Sequence, residues 1–329
     1  MKVCFTIGDC NGIGLEVFIK AILLIDSQND NFARHEFSVF GNLETIEKYF
    51  SFFQFPLRFE CNGFWINDRF CNVINTYEFV EINFGTISED AGKLALNSIE
   101  MAARKLLERE YDALVTLPIS KFSLHKAGAR FTGHTELLAD FCKTDNPLMI
   151  LCSKEKRVAL ATIHIPVKDV SKNISKNNLT HLLSAFSDSL IKDFNIKSPS
   201  IAVLGLNPHS GEYGEIGREE IEIIVPAIDE FKKLGYKLSG PFPADGFFAH
   251  GDYKLYDGIL AMYHDQGLIP LKLLANGGGV NFTANLPIVR TSPDHGTAFD
   301  KAGKNCADAT GLEESLKLAI RIAENRLNV

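Results

Sequence analysis

The sequence predicts an α/β protein built on mostly parallel sheets. Short aliphatic runs alternate with longer amphipathic segments along almost the whole chain, and no internal repeat or low-complexity linker interrupts them. This alternation is typical of units in which a helix connects one parallel strand to the next. The predicted strands are residues 3–7, 37–40, 113–116, 148–152, 158–161, 201–206 and 259–262, and the predicted helices are residues 14–25, 88–110, 134–141, 179–194, 219–234 and 312–328.

Local signals support the individual elements. The run at residues 259–262 is short, aliphatic and followed by polar residues, which favours a buried strand and then a turn at Gly267. The helix that starts near residue 88 has Ser88 as its predicted N-cap, with Glu89 and Asp90 in the first turn. Residues 50–84 are rich in aromatic side chains and only weakly periodic, so we expect strands and loops there without firmer assignment.

Three glycines follow the first predicted strand. Gly8, Gly12 and Gly14 have the order Gly-x-x-x-Gly-x-Gly, whereas the Rossmann dinucleotide fingerprint is Gly-x-Gly-x-x-Gly. A tight turn from strand to helix explains these glycines as well as a nucleotide site does.

The composition disfavours several classes of protein. The chain has 329 residues, enough for two domains or one large one, with 46% hydrophobic residues and a net charge of −7. The absence of a basic block disfavours a nucleic-acid partner. No run approaches the roughly 20 apolar residues of a membrane span, and the first residues do not resemble a signal peptide. The seven dispersed cysteines predict reduced thiols. We therefore expect a cytoplasmic protein with no membrane partner.

Three histidines stand shortly after aliphatic runs. His164 follows residues 158–163, His209 follows residues 201–206, and His264 follows residues 259–262. In open α/β sheets ligands bind beyond the carboxyl ends of the strands, so the three imidazoles could converge at one sheet edge. Three neutral imidazoles can hold a catalytic zinc ion and leave its fourth position open. The alternative is that each histidine satisfies a local backbone group.

Two further segments contain groups suited to an anion. Lys272, Asn281 and Arg290 surround a glycine-rich stretch at residues 276–279, and together they suit a phosphate or a carboxylate. The alternative for these residues is solvated surface charge.

The second segment is "RFTGHTELL", in which Thr132 or Gly133 is the predicted helix N-cap. His134 and Thr135 would then lie in the first turn, where free backbone N–H groups favour an anion. Simple capping of the helix is the alternative.

Five motifs occur in order along the chain: "GHTE", "TIHIP", "GLNPHSGE", "AMYHDQG" and "RTSPDHGTAFDKAG". On these motifs the chain resembles the 4-hydroxythreonine-4-phosphate dehydrogenase family of vitamin B6 biosynthesis, from Ile7 nearly to the C-terminus. The chain departs from the usual family pattern at Ile7, Cys10-Asn11, Leu15 and Leu117. None of these departures falls on a position that the resemblance assigns to metal or substrate.

The resemblance implies a set of site residues. His164, His209 and His264 would bind one divalent metal, with one of the three supplied across a homodimer interface. Neutral imidazole ligands favour zinc, with cobalt or magnesium also possible. The positions that would contact a phosphorylated small-molecule substrate are His134, Thr135, Lys272, Asn281 and Arg290.

The resemblance also implies the architecture and the cofactor. The expected fold is the two-domain fold of the isocitrate and isopropylmalate dehydrogenases, with one domain from residues 1–131 and 288–329 and a central domain from residues 132–287. A cleft between the domains would hold the site. This fold binds NAD or NADP without a Rossmann fingerprint. The expected cofactor-side residues lie in the last motif: His295, Gly296, Thr297 and Asp300.

The expected reaction is metal-dependent, NAD(P)-dependent oxidation of 4-phosphooxy-L-threonine to 2-amino-3-oxo-4-phosphooxybutanoate. This product would lose CO2 to give 3-amino-2-oxopropyl phosphate, for pyridoxine 5'-phosphate biosynthesis. Asp245 is the candidate proton acceptor, because a carboxylate beside a metal can take a hydroxyl proton or orient a ligand histidine. One alternative is a dehydrogenase of another phosphorylated four-carbon acid, such as an erythronate or threonate phosphate. A second is an acyl transferase similar to phosphate acetyltransferase.

Overall fold

A computed structural model describes residues 1–27, 31–131, 133–154 and 156–327. Within these ranges the chain divides into two compact units. Unit 1 consists of Met1–Pro147 and Leu286–Glu324, and unit 2 consists of Leu148–Asn285 with the described residues of 325–329.

Unit 1 contains a sheet whose central strands are parallel. Its strands are β1 (Lys2–Thr6), β2 (Glu36–Gly41), β3 (Arg58–Glu60), β4 (Gly63–Ile66), β5 (Arg69–Asn75), β6 (Ala113–Thr116) and β13 (Arg290–Pro293). They lie in the order β13-β6-β1-β2-β5-β4-β3, and only the β5-β4-β3 end is antiparallel. Its helices are α1 (Gly14–Ser27), α2 (Leu43–Phe52), α3 (Glu89–Leu107), α4 (Lys121–Lys126), α5 (His134–Phe141) and α11 (Thr310–Leu327), the last of which ends beyond Glu324.

Unit 2 has a second, mostly parallel set of strands. These are β7 (Leu148–Cys152), β8 (Arg157–Leu160), β9 (Ser200–Leu204), β10 (Lys237–Phe242), β11 (Gly258–Ala261) and β12 (Val280–Ala284). In the order β10-β9-β11-β8-β7-β12 the first four strands are parallel, and β7 is antiparallel to both of its neighbours. The helices are α6 (Val170–Asn173), α7 (Lys176–Lys192), α8 (Val225–Lys233), α9 (Ala244–Ala249) and α10 (His264–Ala275).

The α/β class with mostly parallel sheets is confirmed, and the seven predicted strands are present as β1, β2, β6, β7, β8, β9 and β11. The strands form from continuous aliphatic runs because helices cover both faces of parallel sheets. In β6 and β7, for example, every residue is buried. The predicted cap of α3 is also confirmed, since the Ser88 hydroxyl accepts a hydrogen bond from Ala91 N at 3.4 Å.

The position of α5 differs from the expected domain boundary at residue 131. Leu138 and Ala139 of α5 pack in one buried cluster with Ile99 and Ala103 of α3. Hydrophobic burial against α3 therefore holds this segment in unit 1, whereas the sequence prediction placed it at the start of the central domain.

The prediction of a turn at Gly267 is wrong, because this glycine lies inside α10. A Cβ atom at this position would come within 2.8 Å of side-chain atoms of Leu160 and Val158 in β8. Glycine thus allows the helix to pack closely on the sheet. Lys272 occupies the last turn of α10, a helix that is not among those predicted from the sequence.

Residues 50–84, which the sequence left without firm assignment, form β3, β4 and β5 around an aromatic cluster. Phe64 packs edge-on against Phe18 and Phe50 at ring-centroid distances of 6.4 and 5.5 Å. Tyr49 extends the cluster and donates a hydrogen bond to Gly12 O at 2.9 Å. Of the described helices, none combines the length and the apolar character that crossing a membrane requires.

Candidate functional site

Four neighbouring parallel strands of unit 2 end at the same edge of the sheet. Each is followed within five residues by a predicted site residue: Asp245 after β10, His209 after β9, His264 after β11 and His164 after β8. Because the carboxyl ends of parallel strands meet at one edge, the topology places these four groups along the same edge. Open α/β sheets bind their ligands at this edge.

Two of the three predicted metal ligands lie side by side. The His164 and His264 rings have centroids 5.9 Å apart and planes inclined by 41°. The Nδ1 atom of His264 donates a hydrogen bond to Oδ1 of Asp265 at 2.7 Å. The other ring nitrogen of His264, Nε2, is then left for a ligand. A carboxylate on the second ring nitrogen is the usual arrangement for a histidine that binds a metal. The pair therefore fits a divalent cation.

His209 lies in a left-handed turn after β9. Its φ angle is 50°, and positive φ continues through Ser210, Gly211, Glu212 and Tyr213 at 50°, 82°, 42° and 55°. Left-handed backbone costs a residue with a side chain roughly 1–2 kcal/mol. Such strain persists only where the surroundings enforce it, and it is concentrated at functional sites.

The three histidines do not assemble within one chain. Across residues 1–27, 31–131, 133–154 and 156–327, no three His, Cys, Asp or Glu side chains are close enough together to hold a metal ion. The structure therefore brings His164 and His264 together but does not place His209 with them.

Hydrogen bonds from polar side chains connect the ends of the strands that precede the histidines. Gln266 accepts a hydrogen bond from Met262 N at 2.7 Å and donates one to Gly205 O at 2.6 Å, which joins the ends of β11 and β9. The Thr162 hydroxyl donates to Met262 O at 2.8 Å and joins the ends of β8 and β11. Sequence reasoning assigned no role to either residue. Their only signal was proximity to a predicted histidine, which does not reveal a partner on another strand.

The remaining predicted residues of unit 2 have different surroundings. Asp245 is exposed in the first turn of α9, and Lys272 is exposed in the last turn of α10. Asn281 lies in β12, and its Oδ1 atom is buried with no hydrogen-bond partner among the described residues. A buried acceptor without a partner costs free energy, so this amide is suited to a ligand that donates a hydrogen bond.

Unit 1 holds a buried cation at Arg290. Its side chain in β13 is 1% exposed, and its Nε and Nη2 atoms donate to the Thr116 hydroxyl at 3.0 and 2.7 Å. Burial lowers the pKa of Arg290 to about 9, while the negative charge of Glu136 acts in the opposite direction. The guanidinium remains charged at neutral pH, and a bound anion would offset its desolvation.

His134 and Thr135 begin α5 in the same unit. The Nε2 atom of His134 is buried without a hydrogen-bond partner, and Thr135 is buried. Burial and the positive charge of Arg290 hold the pKa of His134 well below its usual value, so the imidazole is neutral at pH 7. Gly133 is the N-cap and provides no side-chain cap, while Thr132 lies outside the described residues.

The expected cofactor loop packs against the glycine turn after β1. The backbone N–H of Ile13 donates to Thr297 O at 3.1 Å, and a Cβ atom at Gly12 would lie 2.9 Å from the same oxygen. The predicted tight turn is thus confirmed, with Gly8 at φ 68°. Gly296 faces open space, and the His295 Nε2 atom is buried without a hydrogen-bond partner. Asp300 is exposed.

Comparison with known proteins gives concordant results. Residues 33–319 match the family described as "Pyridoxal phosphate biosynthetic protein PdxA". A 4-hydroxythreonine-4-phosphate dehydrogenase of Prosthecochloris aestuarii is 50% identical over 74% of this chain and 72% of its own length. One of Bacteroides thetaiotaomicron is 39% identical over 99% of this chain and 90% of its own length.

A solved structure extends the likeness to the fold. The crystal structure of 4-hydroxythreonine-4-phosphate dehydrogenase from Klebsiella pneumoniae superposes with a TM-score of 0.83 at 34% identity, covering 98% of each chain. The match spans the strand ends that carry the histidines and the segments that carry Arg290 and the cofactor loop. This chain belongs to the 4-hydroxythreonine-4-phosphate dehydrogenase family, whose members are oxidoreductases of pyridoxal phosphate biosynthesis.

Proposed function

We propose that the chain oxidises 4-phosphooxy-L-threonine with NAD or NADP to 2-amino-3-oxo-4-phosphooxybutanoate, which decarboxylates to 3-amino-2-oxopropyl phosphate. Family membership implies a nicotinamide cofactor, a divalent metal and a phosphorylated substrate. The observation that carries the proposal is the paired His164 and His264 at the carboxyl edge of the unit 2 strands.

The metal would be held by His164, His209 and His264, and zinc suits three imidazoles best, with cobalt and magnesium as the other candidates. When bound, such a cation supplies Lewis acidity that lowers the pKa of the substrate alcohol. Asp265 orients the His264 ring through the 2.7 Å hydrogen bond to Nδ1. Asp245, exposed after β10 at the same sheet edge, is the proposed acceptor of the hydroxyl proton.

We infer that the metal site is completed in a homodimer, with one imidazole supplied by a second copy of the chain. Apolar side chains near the histidines are unusually exposed for a monomer: Tyr213 is 96% exposed and Leu273 is 78% exposed. Ile269 and Leu273 lie four residues apart, so they share one face of α10. Exposed apolar patches of this kind are typical of protein–protein interfaces.

Several polar groups are proposed to bind the substrate. Arg290 supplies a buried guanidinium fork for the phosphate or the carboxylate, and the flexible Lys272 supplies a second cation. In unit 1, His134 presents a buried Nε2 atom without a hydrogen-bond partner among the described residues, and Thr135 follows it in the first turn of α5. In unit 2, Asn281 presents a buried Oδ1 atom of the same kind. These groups fix the orientation of the reacting carbon, which accounts for a large part of the barrier reduction in such sites.

The nicotinamide cofactor is proposed to bind at His295, Gly296, Thr297 and Asp300. The support is the open backbone at Gly296 together with the unpartnered His295 Nε2 atom. The cofactor carries the hydride chemistry, and the chain supplies binding and orientation. We propose that the enzyme acts in the cytoplasm, which its seven free cysteines support.

A direct assay tests the proposed function. Purified enzyme is supplied with NAD or NADP and 4-phosphooxy-L-threonine, and reduced nucleotide is followed by absorbance with and without a chelator. We expect metal-dependent turnover that exceeds turnover on erythronate or threonate phosphates. Faster turnover on a hydroxy acid would reassign the substrate, and acyl transfer without nucleotide reduction would refute the proposal.

A further inference from the structure

Glu220 is a buried carboxylate for which the proposed reaction has no use. It begins the π-helical turn Glu220–Ile224 ahead of α8 and is only 2% exposed. Isolated buried carboxylates are costly unless several donors compensate them. The donors that surround Glu220 come from the segment that leads to His209.

The Glu220 carboxylate accepts hydrogen bonds from the residues that lead into the left-handed turn. Its Oε1 atom accepts hydrogen bonds from Leu206 N and Asn207 N, both at 2.7 Å. Its Oε2 atom accepts from Nδ2 of the Asn207 side chain at 2.9 Å. Three donors therefore fix the backbone two residues before His209, and none of them belongs to a regular helix or strand.

The same carboxylate also contacts the middle of the turn. A Cβ atom at Gly211 would lie 2.7 Å from Glu220 Oε2, so the glycine backbone packs directly against the oxygen. Ser210 adds a separate tie, because its hydroxyl donates to Pro241 O at 3.3 Å. Glu220 thus contacts Asn207 before His209 and Gly211 after it, and the residues from His209 to Tyr213 hold unfavourable positive φ angles.

We propose that Glu220 is a positioning residue that holds the His209 turn in its left-handed form and so presents the His209 imidazole to the metal. This inference rests on the proposed metal site. Glu220 does not contact the metal or the substrate in this role; it acts through the backbone of residues 206–211. Supporting residues of this kind typically change metal affinity by about 10- to 100-fold when they are replaced.

The test measures metal affinity directly, without turnover. Metal-free full-length enzyme is titrated with Co²⁺, and binding is followed by the visible absorption of the bound ion. Glu220→Gln keeps the shape of the side chain but replaces one acceptor by a donor facing Asn207. We expect Co²⁺ binding weakened by about 10- to 100-fold. The matched control is Glu222→Gln, an exposed carboxylate paired with Arg218 on the same turn, with affinity within about twofold of the unaltered enzyme.

A second readout separates positioning from a general loss of stability. Thermal melting and circular dichroism report whether each variant is folded, and amide hydrogen exchange reports on Leu206 and Asn207. We expect folded Glu220→Gln protein with faster exchange at these amides. A folded Glu220→Gln variant that binds Co²⁺ as tightly as the unaltered enzyme would overturn the inference, as would equal losses in both variants.

If Glu220→Gln does not fold, Asn207→Ala decides the question, because it removes one partner of the carboxylate from a partly exposed position. Weakened Co²⁺ binding by this variant supports the inference, and unchanged binding overturns it. If the unaltered enzyme itself binds no Co²⁺, the proposed metal site fails together with the inference. The two failures are therefore distinguishable.

Discussion

At the scale of single residues, several predicted site residues bury a charged or polar group. In unit 1 Arg290 is a buried cation and His134 carries a buried Nε2 atom without a hydrogen-bond partner among the described residues, and in unit 2 Asn281 carries an Oδ1 atom of the same kind. Buried polar groups are costly without compensation, which supports the proposed substrate-binding roles of these residues.

Arg290→Met should raise the KM for the phosphorylated substrate by about 10- to 100-fold, because charge-assisted hydrogen bonds contribute about 1.5–3 kcal/mol each. The melting temperature should fall, since the substitution removes the two buried hydrogen bonds from Arg290 to the Thr116 hydroxyl. Steady-state kinetics and thermal melting check both expectations. Arg321→Met on the exposed side of α11 is the control, with an unchanged KM. An unaltered KM in Arg290→Met would remove this residue from the substrate site.

His134 should make folding stability depend on pH. Burial and Arg290 depress its pKa in the folded state, so the unfolded chain binds the proton more readily below pH ~6.5. The associated stability is present above that pH and is lost as pH falls toward the folded-state pKa. Chemical denaturation at pH 7.5 and 5.5 should show a smaller loss for His134→Gln than for the unaltered enzyme. The exposed His125→Gln is the control. Identical pH slopes for His134→Gln and the unaltered enzyme would contradict the proposed environment.

At the scale of elements, helix α10 shows why local signals did not suffice. It contains Pro270 and Gly267, both of which argue against a helix when the sequence is considered alone. Tertiary packing overrides them, because Gly267 allows α10 to approach β8 closely. By contrast, β6 and β7 match their predicted bounds. A continuous aliphatic run is visible in the sequence itself and can be predicted without knowledge of the neighbouring strands.

Gly267→Ala should destabilise the enzyme by about 1–3 kcal/mol despite the better helix propensity of alanine, because its Cβ would overpack against Leu160 and Val158. Gly246→Ala in α9 is the matched control. The atom nearest to its Cβ would be Nδ1 of His250 at 3.7 Å, which is an ordinary contact distance. We expect that control to be neutral or slightly stabilising. Denaturant unfolding of both variants measures the difference, and equal stability would show that α10 has room at this position.

Part of the candidate site could be predicted because its residues lie just after the ends of strands. The three histidines could be found because each lies within three residues of the end of an aliphatic run. Glu220 could not, because a glutamate in an amphipathic segment normally lies on the solvated face, and only tertiary structure reveals its three donors. Spacing also could not show whether His209 joins the other two histidines, because in the proposed homodimer one imidazole comes from a second copy of the chain.

At the scale of the whole molecule, we propose a dimer that completes its own metal site. Among the described residues of one chain, His164 and His264 are paired without His209, and the turn that carries His209 contains the exposed Tyr213. Dimerisation would then bury apolar surface and bring the third imidazole to the cation at the same time. Activity and quaternary structure are therefore expected to be coupled.

Metal-edge X-ray absorption of the zinc-loaded enzyme tests this account most directly. We predict three imidazole nitrogen ligands at about 2.0–2.1 Å and one oxygen ligand from solvent. The imidazole signature should fall by one ligand in His209→Ala, with the protein still folded. A spectrum dominated by oxygen or sulfur ligands, or one that is unchanged in His209→Ala, would contradict the account.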